Sequence, residues 1–248
     1  MIKNLYQKMR FWNRRRRYRI KDKLEIETIR RYLNEGQVVL DIGAHKGVYA
    51  SFFRDEVGDD GIIVCFEPQQ VLGDYLSKTI SLFKWRNVHL ERLALSEKNG
   101  EASFFVPGHE GETSPSASLE GSSEGVQGHS QVVQTVTLDD YCSKKGLYPN
   151  FIKCDVEGHE YSVLKGGVTT LGKCHPTVML ECEQRHLRQA SVCDVFNLMQ
   201  GLGYRGYFFG SNDLIPIEDF ELRVHQNQSS ARFWEAEDYV NNFLFIAH

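Results

Sequence analysis

Between residues 38 and 58 the apolar positions change their period. Val38, Val39, Leu40 and Ile42 form a short β-branched run, whereas Val48, Tyr49, Phe52, Phe53 and Val57 recur at helical spacing until Gly58. The pattern predicts a strand, a turn containing Gly43 and Gly47, and a helix. The same alternation continues along the chain. Apolar runs over 61–67, 88–93, 151–155, 176–183, 204–209 and 242–247 read as strands, with Pro68 ending the first of them. Helical spacing covers 24–33, 69–83, 160–171 and 192–201. Short apolar strands alternating with helices predict a mostly parallel, doubly wound α/β sheet.

Two segments depart from this rhythm. Residues 101–106 and 131–138 alternate apolar and polar positions, as an antiparallel edge pair would, and the connector over 107–130 is rich in Gly and Ser and has no aromatic residue. So long a connector in a compact domain predicts a lid, closing through residues 114–119 with Ser118 beside the ligand. Toward the carboxyl terminus, Phe233, Trp234 and Tyr239 lie in a polar connector where they either line a substrate pocket or pack into the core.

The 248 residues suffice for one α/β core. Charge divides them into an arm, residues 1–24, and a domain, residues 25–248. Residues 1–23 hold ten Lys and Arg side chains against Asp22, while the whole chain has a net charge of −4, so a basic arm precedes an acidic body. Ile2, Leu5, Met9 and Trp12 follow helical spacing within it. This suits a basic amphipathic helix lying on an anionic membrane, and equally an arm that docks on the body. The charged stretch after the Arg run argues against a secretory or twin-arginine signal, and no segment has the roughly 20 apolar residues of a membrane span. Six cysteines without a Cys-x-x-Cys pair read as reduced thiols of a cytoplasmic protein.

The turn carries the chemistry. A dinucleotide fold would place Gly-x-Gly-x-x-Gly here, but Asp41 occupies the first glycine position and the spacing is Gly-x-x-x-Gly. A carboxylate there repels a pyrophosphate and favours a cation, such as the ammonium and sulfonium of S-adenosyl-L-methionine (SAM). Gly43 and Gly47 predict close backbone approach to a ligand, with free helix N–H groups aimed at it. Glu67 follows Gly47 by about 20 positions, near the spacing at which an acid meets ribose hydroxyls. In open α/β sheets ligands bind outside the carboxyl ends of strands, so Asp41, Glu67, Asp155 and Glu181 should converge on one crevice. Four acids there demand a cation, which a methionine moiety, a substrate amine or a divalent metal would supply.

The segments Leu40–Tyr49, Phe66-Glu67-Pro68, Leu93–Ser96, Thr137–Tyr141 and Ile152–Glu160 resemble those of the FkbM-type SAM-dependent methyltransferases, in order and approximate spacing, with His45 where that family often has Asn. The resemblance implies a seven-stranded class I methyltransferase fold with an antiparallel last strand. It implies cofactor contacts at Asp41, Gly43, Ala44, His45, Gly47, Tyr49, Glu67, Pro68, Ala94, Leu95 and Asp155, with His45 touching through its backbone N–H. The implied reaction is O-methylation of a small hydroxylated acceptor, a saccharide or glycolipid. His159 is the candidate general base, against a plain helix-start histidine. Asp155 falls near the methionine end of the cofactor and Glu157 orients the acceptor or a metal; no set of residues has closed metal-site spacing. An RNA or protein methyltransferase using the arm ranks below this, because the arm has few interleaved aromatics for nucleic acid. A non-catalytic SAM-fold binding protein is the remaining alternative.

Overall fold

A computed structural model describes residues 2–109, 111–114, 116–121 and 125–247, with side chains from residue 4 onward. Pro115 of the expected lid and the Ile2 side chain of the arm lie outside the described residues.

The chain opens with helices α1 (Ile2–Lys21) and α2 (Lys23–Tyr32), then runs β1 (Val38–Ile42), α3 (Val48–Val57), β2 (Ile62–Phe66), α4 (Gln70–Phe83) and β3 (Val88–Glu91). A small excursion follows, with β4 (Ala94–Leu95), β5 (Gly100–Pro107) and β6 (Gly128–Val136). The chain returns through α5 (Leu138–Lys145), β7 (Phe151–Cys154), α6 (Glu160–Lys165), α7 (Val168–Cys174), β8 (Thr177–Glu181) and α8 (Val192–Gly201). It ends with β9 (Tyr204–Phe209), β10 (Leu214–Pro216), α9 (Leu222–His225) and β11 (Asn242–Ala247).

The main sheet has the order β10-β9-β11-β8-β7-β1-β2-β3. Strands β3, β2, β1, β7 and β8 are parallel, and β11 inserts antiparallel between β8 and β9. Winding runs outward from β1 to β3 and resumes on the other side at β7, so the reversal lies between β1 and β7, where a ligand crevice is expected. Alternate side chains of β1 enter different cores. Val39 packs with Phe53, Ile29 and Phe11 on the face covered by α1, α2 and α3, whereas Leu40 and Ile42 pack with Leu164, Leu171 and Val195 on the other. That parity decides which polar side chains share a face below.

Four expectations are corrected. The main sheet has eight strands, because the short β10 extends the edge beyond β9. The 101–106 and 131–138 pair forms a separate three-stranded sheet with β4, and the Thr137 side chain, accepting from the Asp140 N–H, caps a helix where strand was expected. The expected 88–93 strand divides into β3 and β4, which join different sheets. The 160–171 helix breaks at Gly166-Gly167: a Cβ on Gly166 would sit 2.1 Å from the Ser96 carbonyl oxygen, so that turn approaches the β4 exit too closely for a side chain.

Of the two readings of the arm, α1 takes the one in which it docks on the body. Phe11 is 1% exposed against Phe83 and Trp85, Arg14 donates to the Tyr75 hydroxyl, and Arg15 bonds Ser51 and Asp55. Of the six cysteines, Cys65, Cys142, Cys154 and Cys182 are buried, and all six are free thiols. No helix of the described residues is long and apolar enough to cross a membrane.

Candidate active site

A cavity of about 310 Å³ opens at the winding reversal, within the size range of small-molecule sites. Asp41, Glu67, Asp155 and Glu181 all line it, with Gly43, Ala44, His45, Tyr49, Pro68, Ala94, Leu95, Glu157 and His159. Gly47 is not a lining residue, and neither is Ser118, although Ala117 and Leu119 on either side of it are. The Ser118 hydroxyl turns away and donates to the Glu157 carbonyl at 2.7 Å, while its backbone pairs with Phe105. The connector is further held where Gln69 donates to the Ser114 carbonyl at 3.0 Å. Phe233, Trp234 and Tyr239 lie off the cavity wall; Tyr239 donates to Glu183 and Arg185 stacks over Phe233.

The turn works differently from a ligand cradle with free amides. Gly43 and Ala44 both donate to the Phe66 carbonyl at 3.0 Å, and Gly47 donates to the Ala44 carbonyl. The His45 N–H, expected at the cofactor, donates instead to Glu67 at 2.8 Å. Gly43 (φ +83°) is required by the protein itself, since a Cβ would sit 1.8 Å from the Asp155 carbonyl oxygen. Gly47 (φ +71°) likewise leaves room for Leu76, not for a ligand. The tight turn brings the ends of β1, β2 and β7 together, and the side chains do the facing.

Asp41 is the most exacting of these. It is 0% exposed, and neither carboxylate oxygen completes a hydrogen bond, although the Ala50 N–H of α3 faces it closely enough to lower its pKa. Burial pushes its pKa up to about 6, opposed by Lys153 and reinforced by Asp155. A buried polar group without a partner is costly, so an orphaned carboxylate in a cavity wall marks a place for a donor or cation. Glu67 is 4% exposed and accepts from His45 and Gln69, yet burial raises it to about 7. The His45 Nε2 is buried without a partner, and burial lowers that imidazole to about 4.

The cation is already in the protein. Lys153 is the register partner of Asp41 on the adjacent strand, and its Nζ lies 3.0 Å from Asp155 and 4.6 Å from the Tyr49 ring centre. Burial alone would lower its pKa, but Asp155, Asp41 and Glu181 outweigh burial and raise it. One ammonium against three carboxylates still leaves the face acidic. Burial, with Asp155 next, also raises Glu181, which accepts from Asn241 at 2.8 Å. Lys153 carried a legible signal, a charged residue inside an apolar parallel strand, which is buried only when paired. Tyr18 and Lys21 complete the wall from α1, and nothing local in the sequence links them to the site.

Glu157 and His159 flank the other side. The strand ends at Cys154 and Glu157 takes φ +55°, an unusual conformation for a non-glycine residue, so Asp155 and Glu157 both face the cavity. Burial, then Asp155, Glu160 and Glu183, push Glu157 up to about 8, and the His186 Nδ1 lies 3.1 Å from it. The His159 Nδ1 is 2.6 Å from Glu120 and its Nε2 2.9 Å from the Ser96 hydroxyl. A carboxylate accepts only, which puts a proton on Nδ1, so that in the neutral ring Nε2 is the acceptor. Among the described residues no group of three or more His, Cys, Asp or Glu has the arrangement of a metal site.

A doubly wound sheet with an antiparallel strand inserted near one edge, and its crevice at the β1–β7 reversal, defines a class I methyltransferase fold. Residues 41–205 match the methyltransferase FkbM domain, and the chain belongs to that family. The hexuronic acid methyltransferase AglP of Haloferax volcanii is 30% identical over 159 residues, 62% of this chain and 61% of that protein. The crystal structure of methyltransferase FkbM from Methylobacillus flagellatus KT superimposes with a TM-score of 0.53 at 15% identity, over 84% of this chain and 43% of the other.

Proposed function

We propose that this chain is a SAM-dependent O-methyltransferase whose acceptor is a hydroxyl of a saccharide or glycolipid. The observation that carries the cofactor reading is the fully buried, unpartnered Asp41 carboxylate in the cavity wall, on a face where three acids meet one lysine. A ligand bearing an ammonium and a sulfonium offsets that excess; a pyrophosphate would add to it. Asp41 and Asp155 hold the cationic end of SAM, and Glu67, anchored by two amides, accepts from its ribose. Bound SAM supplies an electrophilic methyl group on a sulfonium.

The remaining residues prepare the acceptor. An alcohol is a weak nucleophile, so a base placed at its proton contributes to the rate. His159 has the arrangement of an oriented base, with Glu120 fixing the ring and the Nε2 lone pair directed at a hydroxyl. The acceptor hydroxyl takes the place that the Ser96 hydroxyl occupies. Glu157, raised to about 8, is protonated at neutral pH and orients the acceptor as a donor. The saccharide reading is supported by the likeness to AglP, whose acceptor is a hexuronic acid.

The test is transfer of labelled methyl from SAM to a panel of oligosaccharides, glycolipids and RNA, with the product identified by mass spectrometry. An O-methyl sugar is the expected product. Label recovered only in RNA, or no SAM binding by calorimetry, overturns the reading.

A further inference from the structure

One face of α1 stands largely exposed among the described residues, with Trp12 at its margin edge-on to Phe83. Phe11, Arg15 and Tyr18 turn toward the body, and on the opposite side Leu5, Met9, Trp12, Arg16 and Ile20 succeed one another at intervals of three or four residues. Leu5 and Ile20 are each 71% exposed, and Met9 and Trp12 about half exposed. Large apolar side chains left in water along one stripe mark an interaction surface, not a core.

Charge tells what it meets. The docking of α1 uses Arg14 and Arg15, whereas Arg16, Arg17 and Arg19 have no carboxylate partner among the described residues. Between α1 and α2 a groove is lined by Arg16, Arg19, Lys23 and Arg30 over Ile20 and Ile26, with Glu27 as its acid. Lys23 lies 3.8 Å from Glu27, and Arg30 lies 3.4 Å from Glu56, so Arg16 and Arg19 remain uncompensated there. A basic groove beside an exposed apolar stripe suits a partner that is anionic at its surface and apolar beneath. Nucleic acid matches the charge and leaves Leu5, Met9 and Ile20 in water.

We propose that α1 docks this protein on an anionic phospholipid surface, with Leu5, Met9, Trp12 and Ile20 entering the headgroup boundary and Arg16, Arg17 and Arg19 meeting lipid phosphates. Arg16 lies within the apolar stripe, and its long side chain reaches outward to the headgroups. The helix lies on the surface and does not cross it, as its many charges require. Since α1 also places Tyr18 and Lys21 in the cavity wall, docking brings the site to the lipid boundary. The surface and the methyl-transfer site are independent claims.

The test is co-sedimentation of the full chain with vesicles of phosphatidylcholine alone or with phosphatidylglycerol, without methyl donor, so that the result does not depend on activity. Binding to the anionic vesicles only, weakening with salt, is expected. Arg16→Gln with Arg19→Gln should lose roughly 25-fold in affinity, about fivefold for each charge. Leu5→Ser, Met9→Ser, Ile20→Ser should also release the protein while its circular dichroism and melting midpoint stay unchanged. No sedimentation at low salt overturns the proposal. Equal binding by the serine variant does so too, as does retention by an RNA homopolymer that vesicles fail to displace.

Discussion

The Lys153 ammonium lies 3.0 Å from the Asp155 carboxylate, and this pair is the point around which the candidate site is charged. The lysine is 7% exposed at its side chain, so it is held by acids and not by water. Removing one partner of a buried pair leaves the other uncompensated.

Lys153→Met should therefore cost roughly 3–5 kcal/mol of stability. The sign with pH follows from the acids that remain. Without the ammonium, Asp41 and Glu181, already raised by burial, move further up, so the folded state binds protons that the unfolded chain has released. The variant's deficit in melting midpoint should be greatest at pH 8 and shrink toward pH 5. A deficit independent of pH would place the lysine's importance in packing.

Asp41→Asn preserves shape and removes charge. Loss of a charge-assisted contact worth about 2–3 kcal/mol predicts SAM binding weakened roughly 30- to 150-fold by calorimetry. The melting midpoint should change little, since the deleted carboxylate completes no hydrogen bond and Lys153 keeps its ion pair with Asp155. Unaltered affinity would remove Asp41 from the cofactor site.

The wild-type pH profile of SAM binding carries the same information without mutation. Asp41 at about 6 and Glu67 at about 7 are partly protonated in the free protein near pH 6, and both are more useful to a cationic ligand when ionised. Affinity should rise between pH 5 and 7, with protons released on binding, visible as a calorimetric heat that changes with the buffer. A flat profile would contradict the assignment.

At the acceptor side, His159→Ala should bind SAM normally and lose about 10²–10⁴-fold in turnover. Glu120→Gln should lower kcat more than it raises the acceptor KM, because it acts by orienting the ring. Glu157→Gln, which keeps a donor, should retain far more activity than Glu157→Ala. Wild-type turnover in the His159 variant would exclude it as the base.

Gly43→Ala tests the turn. Its Cβ would meet the Asp155 carbonyl oxygen at 1.8 Å in a left-handed conformation, which costs of the order of 1–3 kcal/mol even without a clash. Failure to fold, or a midpoint lowered well beyond that strain, is expected. A folded variant that has lost only SAM affinity would instead mean that the glycine serves the ligand.

Much of this architecture was legible from local pattern. The β1–turn–α3 unit and the acids at strand ends follow from periods of two and 3.6 and from the punctuation of Gly and Pro, whereas the antiparallel β11 was implied by the family resemblance alone. The broken helix at Gly166-Gly167 was not legible, because its cause is the Ser96 carbonyl about seventy positions away in the chain. Ser118 illustrates the same limit. Its place in the connector suggested a ligand contact, and a hydrogen bond to the Glu157 backbone claims it instead.

Sequence alone established which residues carry charge and how each short segment bends, since backbone sterics and side-chain period act between near neighbours. Packing settled which charges meet. Register set Lys153 beside Asp41, the reversal at β1 and β7 gathered four acids around one cavity, and the docking of α1 turned Arg14 and Arg15 inward while leaving Arg16 and Arg19 free. Those outcomes depend on distances between segments remote in the chain, and only burial, through the desolvation it imposes, converts such neighbours into shifted acids and paired ions.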